Sequence, residues 1–258
     1  MKIDGTRALV TGASSGIGAA TARALAARGA SVILVARNAE RLTAVAAGIG
    51  ASGGRASTCV ADLARPEEVG RVTRLVQQQH GIPDILVNNA GAGRWLPIVD
   101  TSADELAAMV AVPFLAAFNV TRAFLPGMRQ RGTGHIVNVT SIASFLVWPG
   151  AGAYISARWA MRGFSEALRA EVHRSGIGVS LVGFAQVSSG FWEHNPGSWE
   201  RLPAAAHRLR TLTPEEAAGA IVEAIEKEKR LLLRPRMVYL LRVLNTLFPR
   251  RTERQVWR

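Results

Sequence analysis

The chain has 258 residues, 48% apolar and 19% charged, a balance that excludes intrinsic disorder and suffices for one large buried core. A lone Cys59 excludes a disulfide framework and points to a reducing, cytoplasmic setting. The net charge of +12 is concentrated: ten Lys/Arg against two Glu fall within 227–258, and no nucleic-acid-binding motif accompanies them, so no nucleic-acid partner is expected.

From Met1-Lys2-Ile3-Asp4-Gly5 the chain reads straight into a strand, with no leader-like segment. No run reaches the roughly 20 apolar residues that a spanning helix needs. Short β-rich runs at 8–10, 32–35, 57–60, 85–87, 135–139 and 179–182 alternate with longer segments. Those segments predict helices over about 16–28, 66–79, 101–129, 153–174 and 214–229. This alternation predicts one α/β domain over 1–230, a doubly wound parallel sheet with helices on both faces, followed by a C-terminal extension over 231–258.

The first strand runs into Thr11-Gly12-Ala13-Ser14-Ser15-Gly16-Ile17-Gly18 and an Ala-rich helix. Glycines there let the backbone turn tightly and approach a pyrophosphate at a helix N-terminus; the alternative is a plain strand–helix turn. Strand two ends in Val35-Ala36-Arg37-Asn38, with a cation where an acid would bind a ribose 2′-hydroxyl. Arg37 would hold a 2′-phosphate, which favours NADP(H) over NAD(H). Asp62-Leu63 follows strand three and could meet an adenine edge or simply cap a turn. Asn88-Asn89-Ala90-Gly91 closes strand four at the sheet edge where ligands bind.

Tyr154 and Arg158 lie four residues apart, on one face of a predicted helix, with Ser141 thirteen residues before Tyr154. A fixed cation stabilises a phenolate, a Tyr can exchange a proton with an oxygen at which hydride chemistry occurs, and a Ser hydroxyl can hold that oxygen. Alone, such a spacing also describes many ordinary helices.

Together these motifs resemble the short-chain dehydrogenase/reductase family over about residues 5–230, which implies a Rossmann-type fold and hydride transfer between NAD(P)H and a carbonyl or alcohol. The resemblance assigns proton transfer to Tyr154, oxygen-holding to Ser141 and the positive field to Arg158. It assigns cofactor contacts to Gly12, Ser14, Ser15, Gly16, Ile17, Gly18, Arg37, Asp62, Leu63, Asn89, Ala90, Gly91, Tyr154 and Arg158. The expected reaction is carbonyl reduction or alcohol oxidation, in a homodimer or homotetramer.

Three positions depart from the family pattern. Arg158 stands where a Lys is usual; it keeps the charge but cannot cycle through a neutral amine. Pro113 stands where an Asn is usual and should preserve a helix distortion while losing the polar side chain. Phe184-Ala185 replaces Pro-Gly, so the loop against the nicotinamide is expected to run differently. These changes support a second reading: a non-redox descendant, such as a cyclase or a binding or regulatory protein.

The irregular segment 184–212 is expected to lie over the nicotinamide end as a lid. Phe191, Trp192 and Trp199, with Trp95, Phe145 and Trp148, would line a pocket for a bulky hydrophobic substrate, or would simply pack the lid. His194 and His207 have no metal-ligand constellation, and no metal is expected. In the tail, Leu240, Leu241, Leu244, Leu247 and Phe248 follow helical spacing with Arg236, Arg242 and Asn245 between them. This basic amphipathic helix would pack on protein or make peripheral membrane contact through 236–258.

Overall fold

The computed structural model describes residues 1–91, 93–191, 195–202, 204 and 206–256. Seven strands form one sheet in the order β3-β2-β1-β4-β5-β6-β9, with every neighbouring pair parallel. They are β1 (Arg7–Thr11), β2 (Ser31–Ala36), β3 (Arg55–Val60), β4 (Ile85–Asn88), β5 (Gly134–Ser141), β6 (Ile177–Phe184) and β9 (Leu231–Arg234). The order reverses between β1 and β4, and the crevice at such a switch point receives ligands. The central strands read as apolar runs because both faces are covered: β4 is buried throughout, and β5 along all of its length.

On one face, α1 (Gly16–Ala26) and α7 (Pro214–Glu226) pack together, with Ala19, Ala22 and Leu25 in the same buried cluster as Ala217, Ile221 and Ile225. Small residues on both helices permit this close approach. Helix α2 (Ala39–Ala51) also lies on this side and was not among the expected helices. Asn38 caps it by accepting from Arg41 N–H at 2.8 Å, and Leu42, Val45 and Ile49 form its buried stripe. On the other face lie α3 (Pro66–His80), α5 (Ala116–Arg131) and α6 (Gly152–Val172).

Between α4 (Ala103–Val110) and α5 the chain makes a π turn, Ala111–Leu115, with Pro113 at its centre. The distortion expected at Pro113 is therefore present, since proline supplies no N–H to the helical ladder. Taken as one unit, Ala103–Arg131 contains an 18-residue stretch of mean hydropathy 1.6 and is long and apolar enough to cross a membrane, contrary to the expectation that no segment would be. Its inner residues, including Val120, Phe124 and Met128, pack on the sheet, while Leu106, Leu115 and Phe118 are exposed.

Part of the irregular segment is framed by a second, two-stranded sheet, β7 (Gln186–Val187) against β8 (Thr211–Leu212). Strand β9 comes from residues expected to lie in the C-terminal extension; it pairs with β6 and completes the main sheet. Two helices follow, α8 (Met237–Leu247) and α9 (Pro249–Val256).

Candidate active site

The buried Thr11 hydroxyl ends β1 and ties two turns together. It donates to Val87 O at 3.2 Å and accepts from the N–H groups of Asn89 and Ala90, each at 3.0 Å. Asn89 Nδ2 donates back to the carbonyls of Thr11 at 3.0 Å and Gly12 at 3.3 Å. The turns on either side of the switch point are thereby locked as one unit. Gly12 has a φ of 66°, where a side chain is strained. A Cβ on Gly18 would lie 2.1 Å from Gly12 O, so only glycine lets α1 start against this turn. Ser15 makes no side-chain cap to α1, and Ser14, Ser15, Gly16 and Ile17 line the cleft at the start of that helix, where first-turn N–H groups have no intrahelical partners.

Helix α6 presents Tyr154 and Arg158 together. Tyr154 is 6% and Arg158 8% exposed, and the guanidinium carbon lies 4.8 Å from the centroid of the Tyr154 ring. The cation thus bears on the ring face, a cation–π arrangement that a planar group suits. A Cβ on Gly91 would lie 3.2 Å from Arg158 Nη2, and one on Gly93 2.7 Å from Tyr154 Cδ2. These two glycines leave the room that both side chains occupy.

Ser141 ends β5 and accepts from Ala143 N–H at 3.2 Å, which leaves its own O–H to donate. Beside it, the hydroxyls of Thr140 and Ser144 are 2.6 Å apart, and Ser144 donates to the Arg158 carbonyl at 2.9 Å. This buried chain fixes the end of β5 to α6 at the level of position 158. Sequence reading gave no sign of it, because a Thr and a Ser four residues apart carry no pattern of their own.

All the expected cofactor and catalytic residues except Gly18 line one cleft of about 870 Å³. Gly18 lies behind it, where it allows the turn to close. At one end Arg37, just before the Asn38 cap, is joined by Arg41 from the first turn of α2; with α2 unrecognised, that second cation was invisible. Asp62 caps a turn, accepting from Ala64 N–H at 3.1 Å, and also lines the cleft.

At the other end Trp95, Trp148, Phe191, Leu146, Leu209 and Leu241 form the wall. Trp95 packs on Trp148 at 5.3 Å and on Tyr154 at 5.6 Å between ring centroids. Phe145 and Trp199 are not on this wall. Phe145 is buried behind it with Arg162 and Arg242 over its ring, and Trp199 meets the His207 ring edge-on at 4.9 Å. Trp192 and His194 fall outside the described residues. Segment 195–202 is tied to Trp95: Ser198 Oγ accepts from Trp95 N–H at 3.1 Å, and Arg201 Nη1 donates to Trp95 O at 2.5 Å.

After β6 the chain bends at Ala185, whose N–H donates to Arg234 O at 3.0 Å, and enters β7. Ala185 does not take a positive φ, and Ala185, Gln186, Val187 and Ser189 all line the cleft. Gln186 and Ser189 were further residues not foreseen.

A family model described as short chain dehydrogenase matches residues 6–196. Among curated proteins, a probable oxidoreductase EphD of Mycobacterium tuberculosis is 35% identical over 232 residues, 85% of this chain; the chain spans only 39% of that relative's length. A gluconate 5-dehydrogenase of Gluconobacter oxydans is 36% identical over 178 residues, covering 69% of this chain and 70% of the relative. Among solved structures, a short-chain dehydrogenase from Sphingobium yanoikuyae in complex with NADPH superposes with a TM-score of 0.81 at 28% identity, covering 95% of this chain and 93% of the other. L-sorbose reductase from Gluconobacter frateurii, complexed with NADPH and L-sorbose, gives 0.80 at 30% identity, covering 90% and 97%. A Burkholderia phymatum protein in complex with NAD shares the fold, with a TM-score of 0.87 at 24% identity over 99% and 98% of the two chains. With the glycine turn, the clasp beside it and the Tyr154 helix opening on one cleft, and with the family model matching most of its length, the chain belongs to the short-chain dehydrogenase/reductase family of oxidoreductases.

Proposed function

We propose that the chain is an NADP(H)-dependent carbonyl reductase, or an alcohol dehydrogenase in the reverse direction, acting on a bulky hydrophobic substrate. The observation that carries this reading is that Tyr154, Ser141 and Arg158 open on the same cleft as the glycine turn and Arg37.

The residues present suit the cofactor. The side-chain-free approach of Gly18 to Gly12 and the uncapped start of α1 suit a pyrophosphate, and the cationic pair Arg37 and Arg41 suits a 2′-phosphate. Bound there, NADP(H) supplies or accepts the hydride. Tyr154 carries the proton on its phenolic oxygen, giving it to a carbonyl oxygen in reduction and taking it from an alcohol in oxidation. The Ser141 hydroxyl donates to that same oxygen and holds it. Arg158 keeps a positive charge against Tyr154; a guanidinium does not deprotonate, so this residue positions and stabilises but does not pass a proton on. Trp95, Trp148, Phe191 and Leu241 exclude water and receive the body of the substrate. Two relatives carry the names of polar substrates, gluconate and sorbose, and the apolar wall here favours a different class.

Titration with NADPH and with NADH, read by tryptophan fluorescence, tests the cofactor half. NADPH is expected to bind at least about tenfold more tightly, and Arg37→Glu to abolish the difference. Tyr154→Phe tests the chemistry: turnover of a hydrophobic ketone should fall at least about a hundredfold with NADPH binding retained. Folded protein that binds neither nucleotide would favour the non-redox descendant instead.

A further inference from the structure

Helix α8 buries one apolar stripe against the domain and leaves a larger one exposed. Towards the domain it sends Val238, Tyr239, Leu241, Arg242 and Asn245. Val238 is buried, Leu241 lines the cleft, Arg242 lies 5.1 Å from the Phe145 ring centroid, and Asn245 Nδ2 donates to Phe145 O at 3.2 Å. Away from the domain it sends Met237, Leu240, Val243, Leu244 and Leu247, with Phe248 at its end; Leu240 is 58% and Leu247 63% exposed. An amphipathic helix that packs on its own domain directs its apolar stripe inwards. Here the larger stripe, at i, i+3, i+7 and i+10 from Met237, points out. Helix α9 continues the same arrangement: Thr252 is buried in the cleft wall, while Arg250, Arg251 and Arg254 are exposed.

We propose that α8 and α9 dock on the surface of an anionic lipid bilayer, and that the substrate is a carbonyl compound with a hydrocarbon body taken from that bilayer. The docking stands on the exposed face alone; the substrate class rests on the reductase reading above. Charge chooses the occupant. The exposed arginines of 236–256 are Arg236, Arg250, Arg251 and Arg254, against one acid, Glu253. Self-association through this face would bring two such arginine groups together, whereas anionic headgroups neutralise them. Helices of 11 and 8 residues cannot span a bilayer but can lie in its interface, apolar side down and arginines among the headgroups. Leu241 and Thr252 belong to these same helices, so the element in contact with the bilayer is also the wall of the substrate end of the cleft. An apolar substrate dissolved in lipid then reaches the site without crossing bulk water.

Vesicle co-sedimentation of the full chain decides the docking. The protein is expected to sediment with vesicles of equal parts phosphatidylglycerol and phosphatidylcholine, and not with phosphatidylcholine alone. Leu240→Glu/Leu247→Glu, both outward and off the cleft, should weaken that binding at least about tenfold. Arg250→Ala and Arg251→Ala should each weaken it roughly fivefold. No sedimentation with anionic vesicles, equal sedimentation with the zwitterionic ones, or wild-type binding by the double variant would overturn the docking. So would a concentration-dependent dimer that the double variant abolishes. The substrate class is read separately, with a long-chain aldehyde carried in the vesicles and a short water-soluble aldehyde. The double variant should lose most turnover of the first and keep that of the second; unchanged turnover of the vesicle-borne aldehyde overturns the coupling. If the wild-type protein reduces neither, the reductase reading fails, while sedimentation still decides the docking.

Discussion

At the scale of single residues, position 158 has exchanged a compact charge for a plane. An ammonium acts at a point, but the Arg158 guanidinium lies over the Tyr154 ring and fills the space that Gly91 leaves open. The positive charge is what both side chains share. Arg158→Lys is therefore expected to keep turnover within about tenfold of wild type, and Arg158→Met to lower it about a hundredfold, the cost of losing one fixed electrostatic group from a buried site. Steady-state rates of the two variants, measured beside NADPH affinity, check this. Equal losses in both would mean that the stacked geometry, and not the charge, is what the site requires. Most of the residues of this site were legible in the sequence, because turn glycines, a Tyr-x-x-x-Arg spacing and a cation after β2 each have local chemical causes. Arg41, Gln186, Ser189 and the Thr140–Ser144–Arg158 chain were not; their roles come from elements packed side by side.

At the scale of elements, the π turn at Ala111–Leu115 is the informative feature. It accommodates one residue more than a regular helix would, and each added residue turns a helix by roughly 100°. Met109 of α4 is buried and Val112 lines the cleft, while Phe124 of α5 is buried under the sheet. Deleting Pro113 should join α4 and α5 into one regular helix, with Met109 and Phe124 still facing inwards but Val112 displaced. The melting temperature is expected to stay within a few degrees of wild type, while turnover falls about a hundredfold, as small displacements of positioning groups do. Loss of folding would show that the turn is needed by the core and not by the cleft. Other elements were harder to read in advance. The alanines and glycines of α2 dilute the Leu42, Val45 and Ile49 stripe, and β9 is a four-residue run whose only mark is its pairing with β6.

At the scale of the whole molecule, the sheet holds a histidine away from water. His135 on β5 is 1% exposed. Ser180 on β6 donates to Lys229 O at 2.6 Å and so accepts from His135 Nε2 at 2.8 Å. A Cβ on Gly178 would lie 2.4 Å from His135 Nδ1, so the ring is enclosed on that side as well. Burial, aided by the positive N-terminus, pushes the imidazole pKa from 6.5 down to about 4. Between these values the unfolded chain binds a proton that the folded chain refuses. Stability from this group is therefore intact above about pH 6.5 and falls as the pH drops towards about 4, by about 3 kcal/mol in all. Denaturation midpoints measured across that window should drop steeply for the wild type and less steeply for His135→Gln. Equal slopes would assign the acid sensitivity to other groups.

The same scale separates what the sequence determined by itself from what packing decided. Parallel strand alternation, the glycine turn with Asn88-Asn89-Ala90-Gly91, and the pairing of Tyr154 with Arg158 follow from local rules of backbone geometry and side-chain spacing, so the fold class and most of the cleft could be read along the chain. The tail could be read only halfway. Its helical period is local, but which face meets the domain depends on Phe145, 100 positions before Asn245, and on the mouth of a cleft built from several distant elements. Of the five apolar tail positions recognised by spacing, only Leu241 lines the cleft, and the other four are exposed. A hydrophobic period states that a face will be buried; only the surface opposite it, assembled in three dimensions, states by what.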